Sequence, residues 1–251
     1  YLFKMSLKKG INLARYYSIN FDLPKRRKKL IKFIIIHYTG MRKETKAIER
    51  LSDSKSKVSS HYFIKNSGQI INLVPDLYTA WHAGKSNWKK FNSLNKYSIG
   101  IEINNPGHFH GYKTFYSKQI LSLIKLLRYL VKRYNIKKQN ILGHSDISPD
   151  RKKDPGEKFP WKKLGKKQLC LWHNLSEKKI KKYRNFKLEK HEETIFLNNL
   201  YNIGYSRISG ANYKNNKIKL IKAFQRKFRQ SMINGKIDQE CLLISKNLIK
   251  S

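Results

Sequence analysis

Cysteine is scarce in this chain of 251 residues: only Cys170 and Cys241 are present. They lie far apart with no CxxC pair, which argues against a disulfide framework and leaves two free buried thiols as the expectation. Acidic residues are also few, 16 Asp+Glu against 55 Lys+Arg, for a net charge of +39. Such an imbalance suits a polyanionic partner such as nucleic acid, an anionic membrane or an acidic wall polymer. The excess is mostly Lys, beside abundant Ile and Asn, and all three have A/T-rich codons; a biased genome gives the same profile. The basic residues are spread over the whole chain rather than gathered on one arm, which argues against nucleic acid. No apolar run approaches the roughly 18 residues of a membrane span. The first 24 residues lack an apolar signal core, which points to the cytoplasm, although the sequence starts at Tyr1 rather than Met.

What is present is enough for real cores. Hydrophobic residues make up 39% and aromatics 12%, more aromatic than disordered chains. The length allows one large domain or two modest ones. Residues 32–39, KFIIIHYT, form an apolar β-branched run that reads as a buried strand. Residues 60–65 and 69–74 are strand-like and flank Asn66-Ser67-Gly68, a hairpin signal. Residues 97–103, YSIGIEI, are another buried strand, and 140–143 a short one leading into a polar loop, 144–160. Residues 42–54 are polar with helical spacing. Ile120, Leu123, Ile124, Leu127, Leu130, Val131 and Tyr134 form a helical stripe over 117–135, with Ser117 as N-cap. The expected division is a first unit, 1–165, a basic connection, 166–190, and a small helical unit, 191–251. Stripes Ile195/Leu197/Leu200/Tyr201 and Ile218/Ile221/Phe224/Phe228 mark the last.

Three positions in the first unit offer metal ligands. His37 ends the first buried strand, and His144 and Asp154 flank the loop GHSDISPDRKKDPG. Two imidazoles and a carboxylate suit zinc, with a fourth position left for water. On its own His37 reads more readily as a satisfied core histidine than as a ligand. Glu102 sits among Ile99, Ile101 and Ile103. It either faces solvent by strand alternation or, if its strand neighbours the first, points at the metal water as a general base. Lys152 lies two residues before Asp154, where a cation would steady an oxyanion; Arg151 and Lys153 are adjacent rivals.

Taken together, IIIHYTG, SSHYFIKNSGQIINLV, TAWHAGKSNW, YSIGIEINN and GHSDISPDRKKDPGEKFPW resemble the type-2 N-acetylmuramoyl-L-alanine amidases, the zinc fold shared with phage T7 lysozyme and peptidoglycan recognition proteins. The likeness spans roughly residues 15–165. It implies an α/β domain, a central mixed β-sheet flanked by helices, with one Zn2+ in a surface groove. By motif position it implies His37, His144 and Asp154 as zinc ligands, Glu102 as the catalytic glutamate and Lys152 as the oxyanion-stabilising lysine. His61, Tyr62, Trp81, His82 and Trp88 fall in the same motifs and by resemblance line or support the groove, with Tyr62, Trp81, His82 and Trp88 as candidate substrate contacts. The implied reaction cuts the amide between muramic acid and L-alanine in peptidoglycan or anhydro-muropeptides. The alternative is a wall-binding protein without catalysis. In the last unit ETIFLNNLYNIGY, AFQRKFR and GKID resemble a three-helix peptidoglycan-binding domain, which would favour the cell envelope over the cytoplasm.

Overall fold

The computed structural model describes residues 13–15 and 17–250, the first three by backbone alone. Residues 1–12, on which the reading of the N-terminal stretch partly rests, lie outside them. The described strands are β1 (Leu13–Arg15), β2 (Phe21–Asp22), β3 (Phe33–Tyr38), β4 (Tyr62–Ile64), β5 (Ile70–Asn72), β6 (Thr79–Ala80), β7 (Asn87–Trp88), β8 (Phe91–Asn92), β9 (Ser98–Ile103) and β10 (Ile141–Gly143). The helices are α1 (Glu44–Ser52), α2 (Ser117–Tyr134), α3 (His144–Ile147), α4 (Trp161–Lys166), α5 (Glu177–Ile180), α6 (Lys190–Ile203), α7 (Tyr213–Phe228) and α8 (Gln239–Leu248).

Six strands form one mixed sheet in the order β1-β5-β4-β9-β3-β10. Only β4 and β5 run antiparallel, joined by the expected Asn66-Ser67-Gly68 turn. Gly68 takes a left-handed φ of 86°, and a Cβ there would stand 2.8 Å from the Lys118 carbonyl oxygen. That turn therefore admits little but glycine. The central strands read as unbroken apolar runs because helices cover both faces.

On one face Ile34, Ile36, Ile99, Ile101 and Ile103 pack against the α2 stripe, including Ile120, Leu123, Leu127 and Leu130. Helix α2 starts at Ser117 with Tyr116 as its N-cap, one residue earlier than expected. The cause is Gln119, whose side-chain oxygen accepts the Tyr116 N–H.

The other face is divided. Ala47, Ile48 and Leu51 of α1 cover β4 and β5 through Phe63 and Ile71. Phe33 and Ile35 of β3 and Leu142 of β10 instead join Phe196, Leu200, Leu220, Phe224 and Leu242 of the C-terminal helices in one core. Helices α6, α7 and α8 thus share buried surface with the sheet. Within them Leu197, Leu200, Ile221, Phe224 and Phe228 are buried as expected, while Ile195 and Ile218, the first residue of each stripe, are exposed and Phe196 and Leu220 are buried instead. Cys170 and Cys241 are free and buried, as expected.

Candidate active site

Strand parity decides which side chains meet at the open part of that divided face. β3 and β9 are parallel neighbours in the register Phe33↔Ser98, Ile35↔Gly100 and His37↔Glu102. Ile99, Ile101 and Ile103 point to the α2 core, so Glu102 shares its side with His37. That side is covered by protein on both flanks, and Glu102 opens on a groove there rather than on free solvent. The groove runs past the C-terminal ends of the parallel strands, where α/β sheets place their ligands. It holds about 390 Å³ and is lined by His37, Glu102, His144, Lys152 and Asp154, with Arg50 of α1 and Trp81 on its walls.

His144 opens α3, so the stretch read as a loop from 144 begins with one helical turn. Asp154 returns to it, its carbonyl accepting the Ser145 N–H at 2.9 Å. Three ligand atoms then converge. His37 Nδ1 lies 2.9 Å from His144 Nδ1 and 3.0 Å from Asp154 Oδ2, and His144 Nδ1 lies 3.1 Å from that oxygen. Among the described residues this is the only His/Cys/Asp/Glu group of three able to hold a metal.

Hydrogen bonds behind the rings fix which nitrogens carry protons. Ser98 Oγ donates to the Leu94 carbonyl at 2.6 Å, so it accepts from His82 Nε2 at 3.2 Å. His82 Nδ1 is thereby an acceptor for His37 Nε2–H at 3.0 Å. His37 Nδ1 is left with its lone pair facing the groove. His144 Nε2–H donates to the Ala83 carbonyl at 3.1 Å, which leaves its Nδ1 bare in the same way. Burial, then the neighbouring His144, push the His37 pKa down to about 4, so the ring is neutral at pH 7.

Two lone pairs and a carboxylate oxygen facing one another about 3 Å apart repel unless a cation lies between them. Tetrahedral zinc with arms of 2.0–2.1 Å requires ligand atoms about 3.3 Å apart. The donor set, its tautomers and its spacing therefore fit zinc. The AWHAGK segment acts as the outer layer, His82 behind one ligand and the Ala83 carbonyl behind the other, as metal-site histidines require. A Cβ on Gly100 would come within 2.4 Å of the His82 ring, so glycine there makes room for it.

Glu102 Oε2 is buried with no hydrogen-bond partner. Burial, then the nearby Asp154, raise its pKa to about 8, while Lys152 pulls the other way. A buried carboxylate oxygen aimed into a cleft without a partner is a functional signature. Lys152 is half-buried at the groove, whereas Lys153 and Arg151 are exposed. Arg151 ties down the Ala83 and Lys85 carbonyls, which removes it as the oxyanion cation.

The chain matches the family model described as N-acetylmuramoyl-L-alanine amidase over residues 26–157. It belongs to that family. It is 32% identical over 232 residues to the N-acetylmuramoyl-L-alanine amidase AmiD of Escherichia coli strain K12, covering 88% of this chain and 83% of that protein. The structure of E. coli AmiD in complex with the substrate anhydro-N-acetylmuramic acid-L-Ala-D-gamma-Glu-L-Lys superposes with a TM-score of 0.77 at 32% identity, covering 88% of this chain and 89% of that one. AmpDh3 from Pseudomonas aeruginosa in complex with anhydromuramic pentapeptide matches with a TM-score of 0.77 at 28% identity, covering 88% and 92%. The activity is that of this family, hydrolysis of the amide joining muramic acid to L-alanine.

The groove does not collect every expected contact residue. Trp81 lies on it, its Nε1 donating to Asp22, and His82 reaches it only from behind His37. Tyr62 and Trp88 are corrections. Tyr62 faces the α2 core by strand parity and donates to Asp76 at 2.7 Å. Trp88 is 1% exposed and packs edge-on against Tyr205 of the C-terminal unit. His61 is fully buried and accepts the Gly100 N–H, which supports β9. Residue patterns alone missed Asp146, Tyr205 and Lys227, which meet beneath His144. The one available signal was a lysine on the apolar stripe of α7, between Phe224 and Phe228.

Proposed function

We propose that this amidase is zinc-dependent, with His37, His144 and Asp154 as ligands, Glu102 as general base and acid, and Lys152 as the oxyanion partner. The observation that carries the reading is the convergence of two bare imidazole nitrogens and a carboxylate oxygen beside the unpartnered Glu102 oxygen. A zinc ion held there supplies Lewis acidity and lowers the pKa of a water to about 7. The lactyl carbonyl carbon of muramic acid is the electrophile. Glu102, whose carboxylate form a cation between the three ligands would favour over the neutral form of the metal-free protein, takes a proton from the attacking water as the C–O bond forms. The Lys152 ammonium, on the same groove, compensates the negative charge that grows on the carbonyl oxygen. Glu102 then hands its proton to the L-alanine nitrogen as the C–N bond breaks, releasing a lactyl carboxylate and a free amine.

The substrate class is a muropeptide, and the relatives solved with anhydro-muramyl peptides favour the soluble form. The proposal places the helical unit as a wall-binding element and the protein in the bacterial cell envelope, on the resemblance of AFQRKFR and GKID to wall-binding modules. Binding through such a unit would raise local substrate concentration. The test is digestion of sacculi and of soluble anhydro-muropeptide by zinc-loaded protein, read as new L-alanine N-termini. Faster release from sacculi supports the envelope role, and release from the soluble compound alone removes it. Release from neither removes the catalytic assignment.

A further inference from the structure

The C-terminal turn of α7 buries a lysine whose hydrogen bonds run outside its own unit. Lys227 is 2% exposed and reaches across to the catalytic unit. Its ammonium donates to Asp146 Oδ2 at 2.9 Å and to the Ile141 carbonyl at 3.2 Å, with the Trp161 ring 4.5 Å away. Tyr205 donates to Asp146 Oδ1 at 2.7 Å, and the Gly143 N–H donates to Oδ2 at 2.8 Å. Asp146 thus has both oxygens satisfied, and it sits two residues after His144 on the single turn α3.

A second brace acts on the other arm of the loop. Gln230, just past α7, donates to the carbonyls of Glu157 and Phe159, both at 2.6 Å. These carbonyls follow Asp154 closely in the chain. The third ligand, His37, sits in β3, between β9 and β10, and is backed by His82 instead.

We propose that Lys227, Tyr205 and Gln230 are positioning residues that set His144 and Asp154, so that the C-terminal helical unit is part of the metal site itself. This rests on the zinc reading above. Zinc in a site of this kind is sensitive to the groups behind its ligands, whose loss weakens binding by roughly 10- to 100-fold. A four-residue turn has too few internal hydrogen bonds to hold His144 by itself, whereas a carboxylate with three donors is fixed on two sides.

The test compares wild type, Lys227→Gln, Tyr205→Phe and a control, Leu242→Ala, on α8, a helix that packs mainly against α6 and carries none of the three loop-facing residues. Full-length proteins are measured for zinc affinity by chelator competition, for the visible spectrum of the Co2+-substituted form, and for thermal unfolding. The expected result is that Lys227→Gln, which reaches His144 only through Asp146, weakens zinc by about 10-fold, the low end of the effect of groups bonded to a ligand directly, and changes the cobalt spectrum. Tyr205→Phe, which removes a single hydroxyl and keeps the fold, does the same to a smaller degree. Leu242→Ala lowers Tm while leaving affinity and spectrum at the wild-type values. The proposal is overturned if both loop-facing variants bind zinc and give cobalt spectra like wild type while losing Tm as the control does. Wild type that binds no zinc overturns instead the metal reading beneath it, so the two failures are distinguishable.

Discussion

On the groove side of the ligand loop, buried polar atoms lack partners: Glu102 Oε2 has none, and two imidazole lone pairs face an aspartate oxygen. On the underside of the same loop every charge is matched, Asp146 accepting from Gly143, Tyr205 and Lys227. The two sides lie a few residues apart in sequence and bury their charges to opposite ends. Unsatisfied groups keep their free energy available for a metal and a substrate, while the satisfied carboxylate spends its bonds on holding a turn in place. Breaking a buried pair by removing one partner costs about 3–5 kcal/mol, so the underside is rigid for the same reason that the groove is reactive.

Substitutions can separate the two sides, and the largest effect belongs to the groove. Glu102→Ala is expected to lower kcat by about 10²- to 10⁴-fold with zinc affinity kept, as checked by single-turnover kinetics and metal analysis. Full activity in a zinc-loaded variant would remove Glu102 from the mechanism. Next is Asp146→Ala, which strands the Lys227 ammonium in the interior and should cost about 3–5 kcal/mol in denaturant unfolding. A loss below about 1 kcal/mol would show that the underside is not braced by this pair. His82→Ala removes the acceptor behind His37 and is expected to weaken zinc by roughly 10- to 100-fold, measured by competition with a chromophoric chelator.

The smallest effect is on pH dependence in the metal-free protein. Glu102 titrates at about 8 in the fold against 4.5 in its ordinary state. Between those values the native state holds a proton that the unfolded chain has lost, so stability falls as pH rises through the window. Urea unfolding in chelator at either end of it should show that fall for wild type and a shallower one for Glu102→Gln. Identical slopes would mean that Glu102 is not held in the neutral form.

Much of the fold and of the site is readable in the sequence. The apolar runs at 32–39 and 97–103 became β3 and β9, because a strand covered on both faces must be apolar throughout. His37, Glu102, His144, Lys152 and Asp154 were legible as motif positions, and their residue types suit the chemistry. Their pairing was not, since the side of the strand on which Glu102 falls depends on register with a segment far away in the chain. The same dependence defeated Tyr62, whose parity turns it into the core, and Trp88, which the C-terminal helices cover. Lys227 was hidden by abundance: among so many solvated lysines, one that is buried differs only by its place on an apolar stripe.

Titration of zinc into chelator-stripped protein, with release of the stem peptide from anhydro-muropeptide as the readout, tests the central claim most directly. The account predicts no cleavage without metal, recovery that is complete at one equivalent, and no recovery in His37→Ala. Cleavage that survives stripping, or that returns fully in His37→Ala, would contradict it.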